Sequence, residues 1–237
     1  MVKSRVVIQQ QLADVTGDHV PDQVQLIGQK PMNYDSLFYE QLQLMVSDGK
    51  TGKTKTINLD RMDGYEPIMF IGDFSGNGVS DVLVTSDSGG SGGYINVVMY
   101  SFLKLEPKVL FDSESFNAIS TFRVDYRDHY RVEVRSEHPI RTYWLDIHTQ
   151  DPALLAKVYQ KDGMLIQPFQ GSVGGINGVS PVNFYRKGAW ELLVTQKVIG
   201  QFNADDLGDV FTLFSGTEQG MEFLQQFLGF IGSGERK

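Results

Sequence analysis

Two nine-residue stretches, DVTGDHVPD at 14–22 and DFSGNGVSD at 73–81, set oxygen-bearing side chains at alternate positions around glycines. A hard divalent cation such as Ca2+ takes about six to eight oxygens at roughly 2.3–2.6 Å, and a short loop supplies them when alternate residues point inward and glycine permits the sharp turn. The first loop offers Asp14, Thr16 and Asp18, closed by Asp22; the second offers Asp73, Ser75, Asn77 and Asp81. The carbonyls of Val20 and Val79 fall where such loops give a main-chain ligand. With three carboxylates against two, the first loop is expected to bind more tightly, although His19 stands where the second has Gly78. The same residue types also make plain turns through local side-chain hydrogen bonds, so one copy alone would leave both readings open.

A third copy, NFYRKGAWE at 183–191, keeps Asn183, Gly188 and Glu191 but puts Tyr185 and Lys187 where oxygens belong. An ammonium cannot ligate a cation, so this degenerate loop is expected to be empty. Asp14 and Asp73 are 59 residues apart and Asp73 and Asn183 are 110 apart, close to two periods. The missing copy should fall near residue 128, where FRVDYRDHYRVEV reads as strand, turn and strand.

The elements that would hold these loops are strands. Short runs rich in Val, Ile, Tyr, Phe and Thr alternate with turn signals: QVQLIG (23–28), FYEQLQLMVS (38–47), KTKTINL (53–59), SDVLVTS (80–86), YINVVMYSF (94–102), and later AISTFRVDY (118–126), YRVEVRS (130–136), RTYWLDI (141–147), AWELLVTQKVI (189–199) and DVFTLFS (209–215). DPALLAKVY is the best helix, with Asp151 to cap and Pro152 at its first position. The tail MEFLQQFLGFI suits helix or strand. Four-stranded units recurring at about 40–60 residues predict an all-β fold, a single β-propeller over 1–237 with four blades, five being possible, and at most one or two short helices. The repeat units fall at about 5–60, 67–111, 118–168 and 178–231. A sandwich of two antiparallel sheets is the rival architecture.

The composition narrows the partners. With 21 Lys and Arg against 29 Asp and Glu the net charge is −8, which disfavours nucleic acid, since phosphate-tracking surfaces need clustered cations. The chain has no cysteine, hence no disulfide, thiolate metal site or thiol nucleophile. No run approaches the ~18 apolar residues of a membrane span, and MVKSRVVIQQQL lacks the apolar centre of an export signal.

DVTGDHVPDQVQLIG, GDFSGNGVSDVLVTSDSGGSGGYINVVMYSF and LLVTQKVIGQFNADDLGDV resemble the calcium-loop repeats of FG-GAP and VCBS type, and in particular uncharacterised VCBS-repeat proteins of spore-forming Gram-positive bacteria. That resemblance covers most of the chain. It implies a propeller-like β fold and Ca2+ at the loops, and no reaction.

Other motifs are decoys. GGSGG (89–93) matches a hydrolase elbow around Ser91, yet a strand follows where a helix is needed. SDGKTGKT (47–54) mimics a phosphate loop without its first glycine and reads as a hairpin turn. His19, His129, His138 and His148 show no metal-ligand spacing. NADDLGD (203–209) reads as a solvated hairpin, and aromatics such as Tyr34, Tyr65 and Trp144 as packing groups. The reading that results is a calcium-binding scaffold or binding module for a protein or glycan, in an extracellular or spore-surface setting, without catalysis or membrane insertion. Its alternative is a carbohydrate-active hydrolase or lyase with an acid/base pair in the central channel.

Overall fold

A computed structural model describes residues 5–31 and 36–230. Its strands form four successive antiparallel meanders. The first is β1 (Arg5–Ala13), β2 (Asp22–Gln29), β3 (Phe38–Ser47) and β4 (Thr54–Asn58); the second is β5 (Gly64–Gly72), β6 (Asp81–Asp87), β7 (Ile95–Ser101) and β8 (Lys108–Asp112). After helix α1 (Ser113–Ile119) come β9 (Phe122–Arg127), β10 (Arg131–Glu137) and β11 (Ile140–Asp146). Helix α2 (Pro152–Leu155) leads to β12 (Gln170–Val182), β13 (Glu191–Ile199), β14 (Asp206–Thr217) and β15 (Gly220–Gly229). The all-β expectation holds, and each of the ten strand segments read from the sequence overlaps an observed strand, most with ends displaced by about a residue.

Four separate blades are not what the described strands build. β3 is longer than its neighbours, and its first residues pair Phe38 with Tyr65 and Tyr39 with Gly64, which joins the first two meanders into one eight-stranded sheet. β12 does the same for the other two: Gln170 and Gly171 pair with β9 before the strand turns to β13, giving a seven-stranded sheet. Ladder groups left over by one partner must find another, and a long strand finds it in the next meander. Gly171 is required at this junction, because a Cβ there would lie 2.4 Å from the Ile199 carbonyl oxygen.

Three apolar clusters hold the meanders face to face. Val24, Leu26 and Leu44 pack on Met69, Val82 and Val84, tying the first meander to the second. Leu83, Val97 and Met99 meet Ile176, Leu192 and Val194, tying the second to the fourth. Val124, Val132 and Val134 meet Val198 and Val210, tying the third to the fourth. Among the described residues the three clusters link the meanders in the order first, second, fourth, third, and no four-blade propeller is shown. The seven-stranded sheet instead curls until its two edges meet, where Tyr143 of β11 places its hydroxyl 3.2 Å from the Gln226 carbonyl and 3.1 Å from the Gln226 side-chain oxygen on β15.

Inside that curl Tyr159 donates to the carbonyls of Arg127 (3.0 Å) or Arg131 (3.2 Å). Burial, helped by the Asp128 charge, pushes its hydroxyl up to about 12, and burial raises Tyr126 as well. A raised folded-state value favours the protonated phenol, so its stabilisation is complete below pH ~10, the unfolded value, and is lost as pH climbs through about 12. The urea midpoint should therefore fall between pH 10 and 12. Tyr159→Phe should lower the unfolding free energy by about 1 kcal/mol at pH 8 and flatten that fall; an equally steep fall in the variant refutes the assignment.

Helix α2 has the start its sequence suggests, with Asp151 accepting from the Ala153 amide at 2.8 Å and Pro152 in the first turn, but it ends at Leu155 after one turn where DPALLAKVY suggests two. Helix α1 is a correction: AISTFRVDY becomes extended only at Phe122, because Asp112 caps a short helix through the Ser115 amide (2.7 Å) and Phe116 anchors it in the core. The ambiguous tail is strand β15. Tyr34 and Ile231 lie outside the described residues.

Candidate functional site

The three repeated loops join β1 to β2, β5 to β6 and β12 to β13, and their repetition is in the backbone as well as the letters. The fourth residue of each is left-handed (Gly17, φ 82°; Gly76, 74°; Arg186, 53°), and so is the sixth (His19, 66°; Gly78, 83°; Gly188, 93°). Side chains other than glycine adopt that region at a cost of about 1 kcal/mol, so the substitutions at His19 and Arg186 kept a conformation the loop demands. The loops also touch in a row. The Ser80 amide, eighth in the second loop, donates to the Asp14 carbonyl, first in the first loop, at 3.1 Å; the Trp190 amide donates to the Asp73 carbonyl at 2.7 Å. The eighth residue of the first loop is Pro21.

Each oxygen ligand proposed from sequence has a defined place. Asp14 accepts from the amides of Gly17 (2.6 Å) and His19 (2.8 Å), and Asp73 from Gly76 (2.6 Å) and Gly78 (2.8 Å). Asp18 turns the chain through the Val20 amide (2.9 Å) and Asn77 through the Val79 amide (2.8 Å). The closing carboxylates are buried: Asp22 accepts from Val15 and Thr16, Asp81 from Phe74 and Ser75. These bonds fix each loop by local turns, and they leave lone pairs over.

The two loops then diverge. The second oxygen of Asp22 takes the Gly49 amide at 3.0 Å, and Lys50 brings its ammonium to 3.9 Å from Asp18. The corresponding oxygen of Asp81, Oδ1, is buried with no hydrogen-bond partner in the protein, and so are Ser75 Oγ and Thr16 Oγ1. Burial pushes the Asp81 carboxyl above its usual range, opposed by the amides of Ser75 and Phe74 and the nearby Ser75 hydroxyl, and reinforced by the Asp73 charge. Among the described residues no three His, Asp or Glu side chains converge as a chelating group. An ion at either loop would need the hydroxyl, amide and main-chain oxygens as well as the carboxylates, which is the donor mixture a hard cation accepts.

In the third loop Glu191 keeps the closing role, accepting from the Phe184 amide at 2.8 Å. Asn183 is exposed, and Lys187 is drawn out over the Tyr185 ring, 5.5 Å from its centre, rather than into the loop. The region near 128 is the strand, turn and strand expected there, without a nine-residue loop.

The decoys read as turns. Ser91 lies in the β6–β7 connection, closed by Ser88 and Tyr94, and Asp48 closes the β3–β4 hairpin through the amides of Lys50 and Thr51. In NADDLGD, Asp205 is buried and accepts from the Gln201 amide at 2.7 Å, so that segment is tied into the fold. No described helix is long and apolar enough to cross a membrane. A surface cavity of about 470 Å³ holds Asp125, Arg127 and Asp128, with Asp125 bonded to Gln170 at 2.7 Å. Another of about 360 Å³, beside β3 and β4, escaped the sequence reading because its amide side chains carry no motif.

The family model that matches is the YybI C-terminal domain, over residues 120–229. The chain is also 35% identical over 232 residues to the Uncharacterized protein YybI of Bacillus subtilis (strain 168), covering 98% of this chain and 88% of that protein. The likeness to FG-GAP and VCBS repeats is corrected by this match: a nine-residue loop of Asp, Ser, Asn and Gly is closed by turn chemistry that unrelated families share, so it does not define descent. The chain belongs to the YybI family.

Proposed function

We propose that the protein is a non-catalytic binding module braced by Ca2+ at its first two loops, which presents a face to a protein or glycan partner outside the cytosol. The support is the set of buried oxygens without partners, Thr16 Oγ1 in the first loop and Ser75 Oγ and Asp81 Oδ1 in the second. A buried polar atom left unpaired costs about 1–3 kcal/mol, and a hard cation relieves that cost while neutralising Asp73 and Asp81. With Gly49 and Lys50 already serving the first loop, the second is the tighter of the two, against the order that the carboxylate count suggests. Loops of this donor set suit the millimolar calcium of extracellular settings.

Thermal unfolding in about 5 mM calcium and in chelator is the test. At ten times the dissociation constant the midpoint should rise by about 3–6 °C. Asp73→Ala should remove more of this rise than Asp14→Ala, and Lys187→Ala should leave it intact. Asp81→Asn should abolish the second loop's share without lowering the midpoint in chelator, since it removes a buried charge. A midpoint indifferent to calcium overturns the proposal.

A further inference from the structure

Three successive rows on the outward side of the first meander carry no charge, and ionisable groups return only in the row beyond them, Arg5, Gln29 and Glu40. Because side chains alternate along β1 to β4, those facing away from the core form cross-strand rows. One row is Leu12, Gln23, Ser47 and Thr54; the next is Gln10, Gln25, Met45 and Thr56; the third is Val7, Ile27, Gln43 and Asn58. All twelve are at least partly exposed and none is ionisable. Soluble surfaces are typically about 25–35% charged, so three or four charges would be ordinary here. The contrast lies within the same chain: on β9 and β10 the consecutive pairs Arg123–Arg135, Asp125–Glu133 and Arg127–Arg131 are charged throughout.

The polar groups on this face are ordered. Gln25 donates to Gln10 at 2.7 Å, Gln43 donates to Asn58 at 2.7 Å, and Ser47 and Thr54 hydroxyls lie 3.2 Å apart. A primary amide has two donors and two lone pairs, so each bonded pair still offers both kinds of group to a ligand, in an orientation already set. The third row runs into the 360 Å³ cavity, where Gln43 and Asn58 stand with Asp60, Asp63 and Arg5. A flat field of amides and hydroxyls thus ends in a cleft with acceptors for paired hydroxyl groups.

We infer that this face and cleft bind a neutral polysaccharide, an inference that rests on the binding-module reading and selects glycan over protein. A polyanion would meet no cation on the three rows, and the two arginines at the cleft are engaged, Arg5 donating to Gln43 at 2.8 Å and Arg61 paired with Glu114. A protein partner would find no Trp or Tyr anchor in the three rows and no Arg among them. A neutral chain of hydroxyls matches the face in charge and in hydrogen-bonding type, and Val7, Leu12, Ile27 and Met45 supply apolar contact for sugar ring faces.

Calorimetric titration with neutral hexasaccharides (gluco-, manno-, xylo- and N-acetylglucosamine) and with hexagalacturonate tests this, each in calcium and in chelator. At least one neutral hexamer should bind, with hexagalacturonate at least tenfold weaker. The double variant Gln25→Ala, Gln43→Ala should lose at least tenfold in affinity with an unchanged melting midpoint, while Arg135→Ala on the charged sheet should lose nothing. No neutral hexamer bound at about 10 mM, equal binding of hexagalacturonate, or a dimer in sedimentation that Gln25→Lys dissociates would each overturn the inference. Failure here with a calcium-dependent midpoint leaves the braced module standing; binding unaffected by chelator, with a midpoint that ignores calcium, does the reverse.

Discussion

Asp22→Ala should lower the thermal midpoint by roughly 8–16 °C in chelator, and by somewhat more in calcium, where the first loop also loses a cation ligand. Asp22 is fully buried, and its two oxygens receive three main-chain amides, from Val15 (2.9 Å), Thr16 (3.0 Å) and Gly49 (3.0 Å). Alanine leaves all three donors without water or partner, at about 1–3 kcal/mol each, for a total near 4 kcal/mol. At 2–4 °C per kcal/mol for a chain of about this size, the midpoint moves by the amount stated. Asp22→Asn retains one acceptor oxygen for the Val15 and Thr16 amides but turns an NH2 group towards the Gly49 amide, so about half of the loss should remain. Calorimetric melts of the two variants decide it. A fall under about 3 °C for alanine would mean that the carboxylate is not the tie between the first loop and the β3–β4 hairpin.

A comparable loss is expected for Phe74→Ala, and a negligible one for the same change at the same place in the third loop. The second residue of each nine-residue loop points towards the interior when the loop is seated. Val15 and Phe74 are both fully buried, whereas Phe184 is 64% exposed. Phe74 packs edge-on to Phe70, with ring centres 5.9 Å apart, within the cluster that joins the second and fourth meanders. Removing a buried phenyl costs about 3–5 kcal/mol through lost burial and the cavity left behind, which corresponds to roughly 6–20 °C. Phe184→Ala should cost less than about 0.5 kcal/mol. Equal losses at the two positions would show that the third loop is as firmly seated as the second.

Much of the local structure was legible. FYEQLQLMVS is β3 to the residue, because its alternation of apolar and polar groups matches the alternation of burial along the strand. Asp151 and Pro152 announced α2, and the Asp, Gly and Asn positions announced three turns of one kind. β12 was not legible. Its thirteen residues include four glycines and a proline, the composition of a loop, yet it pairs with two strands because Gly171 admits the Ile199 carbonyl where a side chain would not fit. Helix α1 had a visible cap in Asp112, but only seven residues follow it, too few for helical periodicity to separate itself from the strand beyond.

Long-range order was the larger loss. Periodicity reports which residues share a face and is silent on which meander that face meets, so a regular repeat suggested four blades where the chain makes two larger sheets. At the loops, letter counts favoured the first as the stronger cation site, because Gly49 and Lys50 arrive from a hairpin far along the chain. The unpaired oxygen of Asp81 is likewise a property of what does not reach it. The uncharged rows on the first meander needed strand register before twelve scattered residues became a surface.

The relay between loops runs in one direction. In both contacts the donor is the amide of the eighth residue and the acceptor belongs to the preceding loop, so the series has a direction, from the third loop to the second to the first. Proline has no such hydrogen, and Pro21 therefore terminates the series chemically at its head. The first loop therefore differs from the other two in having no amide at its eighth residue with which to tie itself to a neighbour, a tie worth about 1 kcal/mol where it forms.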